Sequence, residues 1–126
     1  MIFPAELKYT NEHIWVRLQG EIATIGITDF AQQQLSDIVY VEVETQGETL
    51  SKDAIFGSVE AIKTVSDLYM PMSGEVIAFH KELVQKPEKI NTDPYGEGWI
   101  IQVKISDPAQ WETLLSADDY KKIIND

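Results

Sequence analysis

The sequence predicts a mainly β fold, a compact sandwich or barrel, with a short internal helix and helices at its C-terminal end. Three observations lead there. Short runs of β-branched and aromatic residues recur through the first two thirds of the chain. Turn residues interrupt them at close intervals, and helical spacing is confined to 28–35 and to the segment after Asp107.

Taken in order, His13-Ile-Trp-Val-Arg-Leu18 reads as a strand that stops at Gln19-Gly20, and Glu21-Ile-Ala-Thr-Ile-Gly26 completes a hairpin. Thr28 is placed to cap the free amides of a first helical turn, and Ala31 and Leu35 are spaced for one helix face, so 28–35 is expected to be helical. Ile38-Val-Tyr-Val-Glu-Val43 is the clearest strand, closed by Gly47. Strands 54–61 and 65–70 flank Lys63, with Pro71 ending the second because it cannot donate to a ladder. Ser73-Gly74 marks a turn before the strand Glu75–Phe79. The segment 80–98 reads mainly as loop, with a helical turn near Glu82, and Trp99–Ile105 returns to strand. Asp107 is an N-cap with Pro108 at the first helical position, and Trp111, Leu114 and Leu115 share a face. Ser116-Ala-Asp-Asp119 resembles a capping box, followed by Tyr120, Ile123 and Ile124 on one face, so helices are expected over about 107–124.

At 126 residues, 1–126 fits one domain with a core that needs no staples. There is no cysteine, which removes disulfides, thiolate metal sites and cysteine nucleophiles. A net charge of -11 repels phosphate backbones and anionic lipid surfaces, so neither nucleic acid nor membrane is an expected partner. Met1-Ile-Phe-Pro-Ala-Glu6 is neither a secretory nor a transit signal, and no stretch approaches the ~20 apolar residues of a membrane span. A soluble, cytoplasmic monomer is expected.

The most informative feature is Lys63, within Gly57-Ser-Val-Glu-Ala-Ile-Lys-Thr-Val-Ser-Asp67. A tight hairpin normally has Gly, Asn or Asp at its tip, whereas here the tip residues are Ile62 and Lys63. Such local disagreement is a mark of functional sites. A lone amine at an apolar tip, without basic neighbours, suits an attachment point for an acyl group.

Val59-Glu-Ala-Ile-Lys63 resembles the lipoylation site of the glycine cleavage system H-protein family. Further family signatures occur in family order: Tyr9-Thr-Asn-Glu-His13-Ile-Trp15, Ile25-Gly-Ile-Thr28, Ala31-Gln32, Asp37-Ile-Val, Ser66-Asp67, Pro71, Ser73-Gly-Glu-Val76, Asp93-Pro-Tyr-Gly-Glu-Gly-Trp99, and Leu114-Leu-Ser-Ala with Tyr120. The resemblance implies a lipoyl-domain-like barrel-sandwich hybrid and a non-catalytic carrier with lipoate in amide linkage on Lys63. The arm would accept an aminomethyl group from a pyridoxal-phosphate glycine decarboxylase. An aminomethyltransferase would pass its carbon to tetrahydrofolate, and the FAD enzyme dihydrolipoamide dehydrogenase would reoxidise the dithiol. A lipoate-attaching enzyme would be a further partner, reading Glu60. Glu12, His13 and Asp67 are the other residues placed at the cofactor. The alternative role is a lipoyl-relay donor for 2-oxoacid dehydrogenases. Biotin carriage is disfavoured because Ala61-Ile-Lys-Thr64 lacks the methionines that flank a biotinyl lysine, and an unmodified acidic β-module is the reading from a different class.

Three departures from the family pattern stand out. Ile14 replaces the usual Glu between His and Trp, which withdraws an anionic partner from the loaded arm unless Glu12 or Asp67 compensates. Ser36 replaces a glycine, at a cost of ~1 kcal/mol if the position needs a positive φ. His80-Lys81 replaces a Val-Asn pair. His13 and His80 lie far apart without metal-ligand spacing, so no metal is expected, and His13 beside Trp15 reads as a packed or hydrogen-bonded strand residue. No Gly-x-Ser-x-Gly elbow, phosphate loop or calcium loop is present, and no catalytic cluster assembles.

Overall fold

The computed structural model describes residues 1–125. In chain order its elements are β1 (Lys8–Tyr9), β2 (Ile14–Gln19), β3 (Ile22–Ile27), α1 (Asp29–Leu35), β4 (Ile38–Glu42), β5 (Thr49–Leu50), β6 (Ile55–Ala61), β7 (Val65–Tyr69), β8 (Gly74–Phe79), α2 (Glu82–Gln85), α3 (Lys89–Thr92), β9 (Ile101–Ile105), a 3₁₀ helix (Pro108–Thr113) and α4 (Ala117–Ile123). The fold is mainly β. Two antiparallel sheets, ordered β1-β2-β3-β9-β8-β5 and β4-β6-β7, pack without closing into a continuous barrel.

Alternation along the strands explains the packing. Ile14, Val16 and Ile25 from the larger sheet meet Val41, Phe56, Val59 and Leu68 from the smaller one in a single buried cluster. A second cluster lies under the chain ends, where Phe3, Leu7 and Trp15 surround Tyr9 and Tyr120. Those two tyrosine rings stack with centroids 5.0 Å apart. Gly26 pairs with Trp15 across β2 and β3. A Cβ there would lie 2.7 Å from the Trp15 indole nitrogen, so the indole occupies the space a side chain would need.

The two principal hairpins solve their turns differently. Gln19 pairs with Ile22, and Gly20 takes φ +63 in the two-residue connection, as a tight hairpin of twisted strands requires. In the β6–β7 hairpin the ladder ends at Glu60 and Val65, and the Ala61 amide donates to the Thr64 carbonyl at 2.8 Å. Ile62 and Lys63 both keep negative φ, so this tip lacks the twist-matched turn of the first hairpin.

The helix caps follow the sequence reading. Thr28, Asp107 and Ser116 accept from the amides of Ala31, Ala109 and Asp119. Several details differ. The helix begun by Pro108 is 3₁₀ and ends at Thr113, because Leu115 leaves it to form a bridge with Tyr9. Ile123, expected on the buried face of the last helix, is 48% exposed; Ala117 and Tyr120 carry that face inward to the core. The segment expected to be mainly loop over 80–98 contains two helical turns, fixed by the fully buried Leu83 and Ile90.

Candidate functional site

Lys63 sits at the outer end of the smaller sheet, where Ile62 is 71% exposed and Lys63 and Thr64 are also exposed. The side-chain amine makes no hydrogen bond or ion pair among the described residues. It is displayed, as an acceptor of a covalent group must be.

A cavity of about 270 Å³ opens beside this tip, between Ile62-Lys63-Thr64 and the end of α1 at Gln34, Leu35, Ser36 and Asp37. A second cavity of about 290 Å³ lies further along α1. Its body is apolar, built by Ile27, Phe30, Ala31, Val59 and Leu68. Its polar groups are Glu12, His13, Ser66 and Asp67. Gln34 and Leu35 line both cavities, so the last turn of α1 forms a common wall running from the lysine to the histidine.

Each polar residue is positioned by its element. His13 takes φ +67 in the turn before β2, so it is a turn residue rather than the strand residue expected. Its amide donates to the Thr10 carbonyl at 3.1 Å, and its own carbonyl accepts from Thr28 at 3.0 Å. Its ring packs at 5.0 Å from Phe30, and Nδ1 lies 2.7 Å from the Tyr120 hydroxyl. Burial holds the imidazole below its ordinary value, and the Glu12 carboxylate opposes only part of that. Asp67 lies on the exposed edge strand β7, paired with Ser58.

Glu12, His13 and Asp67 all border one cleft, with Lys63 at the mouth of the adjoining one, and Asp67, paired with Ser58, also borders a hollow on the outer face of the smaller sheet. Glu60 is not brought to either cleft. It lies on the outer face of the smaller sheet between Tyr40 and Val65, because its neighbour Val59 is the residue of β6 that faces the cleft. Ile14 is fully buried in the core, so the position occupied by Glu in the family pattern contributes only apolar packing.

Sequence reasoning missed Gln34, Leu35 and Asn91. The Asn91 amide donates to Gln32 Oε1 at 3.0 Å and to the Ser36 carbonyl at 2.8 Å, while its Oδ1 accepts from the Ile38 amide at 3.0 Å. It thereby clamps the end of α1 to the start of β4. Nothing in the local sequence announces contacts across more than fifty positions.

A family model described as Glycine cleavage H-protein matches residues 7–126. The chain is 51% identical over 125 residues to the glycine cleavage system H protein of Bacteroides thetaiotaomicron, covering 99% of each chain. It is 50% identical over 125 residues to that of Bacteroides fragilis, with the same coverage. The crystal structure of a glycine cleavage system H protein from Mycobacterium marinum superposes with a TM-score of 0.86 at 34% identity, over 98% of this chain and 99% of that one.

Proposed function

Because this chain belongs to the glycine cleavage H-protein family and is a lipoyl carrier of glycine cleavage, we propose that Lys63 is its attachment residue and that the α1 groove is the resting place of the arm. The observation that carries this reading is that the two cavities adjoin, with Gln34 and Leu35 lining both. A lysine at one end and a polar cluster at the other define a path for a long, narrow group.

The residues fit that group. An acylated lysine is uncharged, which removes the penalty for laying it on apolar surface. Leu35, Ala31 and Phe30 offer that surface, and Glu12, His13 and Asp67 receive the polar end. When bound, the group supplies a disulfide that accepts an aminomethyl unit and is later reoxidised. The two carboxylates favour a cationic amine at that end and replace the anionic partner that Ile14 does not provide. The apolar walls limit the approach of water to a labile cargo.

The partners are the enzymes of the glycine cleavage system. As a donor, we assign a pyridoxal-phosphate decarboxylase; as a receiver, a folate-dependent aminomethyltransferase; for reoxidation, a FAD-dependent dihydrolipoamide dehydrogenase. A tethered arm presents its reactive end to each at an effective concentration on the order of mM. The exposed hairpin tip, with Glu60 on its outer face, is the feature a lipoate-attaching enzyme would grip. The chain serves as one carrier unit and performs no chemistry of its own. Among the described residues, no helix is long and apolar enough to cross a membrane.

The test is the intact mass of the protein purified from its own cells, measured beside Lys63→Arg. A lipoyl increment on the first and none on the second is expected. An increment that survives in Lys63→Arg, or none on either chain while the modifying enzymes are active, overturns the assignment.

A further inference from the structure

His80 follows β8, Glu82 opens α2, and Glu97 lies in the loop before Trp99. The fold brings one ligand atom from each within 4.8 Å of the others. We propose that these three side chains form a binding site for one divalent first-row transition cation of the zinc and copper class.

The imidazole is already set for the task. Its ring lies flat on the Trp99 indole, with centroids 4.4 Å apart and planes 1° apart. Nδ1 is 3.0 Å from the Trp99 carbonyl, which only accepts, so Nδ1 carries a proton, and in the neutral ring that a metal binds Nε2 presents the lone pair. A histidine metal ligand is normally fixed by this kind of hydrogen bond through its second nitrogen. Nε2 faces Glu82 Oε2 at 3.6 Å, and the His80 side chain is only 13% exposed. A lone pair held opposite a carboxylate, with a second carboxylate beside it, is three acceptors converging on one point. A cation between them satisfies all three.

The remaining geometry is permissive. The other oxygen of Glu82 lies 3.9 Å from the Lys86 ammonium, which leaves Oε2 for an ion. The Glu97 amide donates to Asp93 Oδ2 at 2.9 Å, fixing the backbone that carries this ligand. Ligands of a tetrahedral zinc ion sit about 3.4 Å apart, so the exposed glutamates close the present spacing by side-chain rotation. An imidazole nitrogen with two carboxylates suits zinc or copper, whereas magnesium and calcium favour all-oxygen shells. Water completes the coordination.

The probes are zinc chloride and copper sulfate, added to the full chain without an attached cofactor; it has no thiol of its own to compete. Copper bound to His80 should quench the fluorescence of the stacked Trp99 with saturation at one ion per chain. Zinc in large excess should compete with the copper and lessen the quenching, and the same excess of magnesium should not. Glu82→Gln with Glu97→Gln, both at exposed positions, should weaken binding about tenfold or more with the melting temperature unchanged. His80→Asn should abolish the quenching. The proposal fails if quenching does not saturate, or if the double glutamine variant binds copper and zinc as tightly as the parent.

Discussion

Tyr120 donates its hydroxyl proton to His13 Nδ1 across 2.7 Å, joining residues 107 positions apart in sequence. The direction follows from Thr28. Its Oγ1 accepts from the Ala31 amide at 3.1 Å and lies 2.8 Å from Tyr120 Oη, and the residue is fully buried. The buried Thr28 proton has a partner only if it is given to Tyr120, whose own proton then goes to His13. His13 is thereby held as the tautomer protonated on Nε2, which offers a donor to whatever occupies the cleft.

Removing the link should loosen the cleft from the far side. Tyr120→Phe keeps the stacked ring but leaves the Thr28 proton without an acceptor and His13 Nδ1 without its partner, at a cost of about 1–3 kcal/mol. The urea midpoint should fall, and the loaded carrier should release its one-carbon unit to water faster. Unchanged stability together with unchanged release would show that the hydroxyl does not position His13.

The pH dependence follows from the same contacts. His13 sits below its ordinary value of 6.5 chiefly because it is buried. The unfolded chain therefore takes up the proton first as pH falls. The stability contributed by the neutral imidazole is full above about pH 6.5 and is lost below it. At the alkaline end the order reverses. Burial pushes Tyr120 up to about 12, against the Thr28 hydrogen bond, and raises Tyr9 and Tyr95 as well. Their contribution is full below about pH 10 and declines above it. Urea midpoints measured across the acid range should show a slope that flattens in His13→Gln.

Ser36 ends α1 at φ +62 and ψ -147, a region populated almost only by glycine. Ser36→Gly should therefore stabilise the fold by about 1 kcal/mol or more, read as a higher urea midpoint. A decrease would mean that the serine hydroxyl holds the loop in another way.

Glu12 and Asp67 both line the His13 cleft, whereas Ile14 is sealed in the core. Glu12→Gln combined with Asp67→Asn should shorten the lifetime of the amine-loaded carrier, with little effect on the unloaded one. Equal lifetimes for the parent and the double variant would remove the carboxylates from the resting site.

What the sequence revealed depended on how local the signal was. The caps at Thr28, Asp107 and Ser116 and the strands around Lys63 were legible because each rests on neighbouring residues. The two-residue strands Lys8–Tyr9 and Thr49–Leu50 carry too little periodicity to read, and pairing with β2 and β8 is what defines them. Lys63 was singled out by its resemblance to the family's attachment motif and by a turn that breaks a local rule, and the positive φ of Ser36 was anticipated only because serine stands where the family pattern has glycine. Glu12 and Asp67 were recognised as residues, but their meeting is a property of the sheet packing. The His80, Glu82 and Glu97 group had no spacing to betray it, since two of its members reach each other through a loop that closes on Trp99.

The Asn91 clamp places the groove under remote control. One carboxamide fixes both the final turn of α1 and the entry to β4, and that turn is the wall between the lysine and the histidine. The position of that turn is thus set by a residue that lines neither cavity. A substitution at Asn91 would reshape both cavities while every residue that lines them stayed the same.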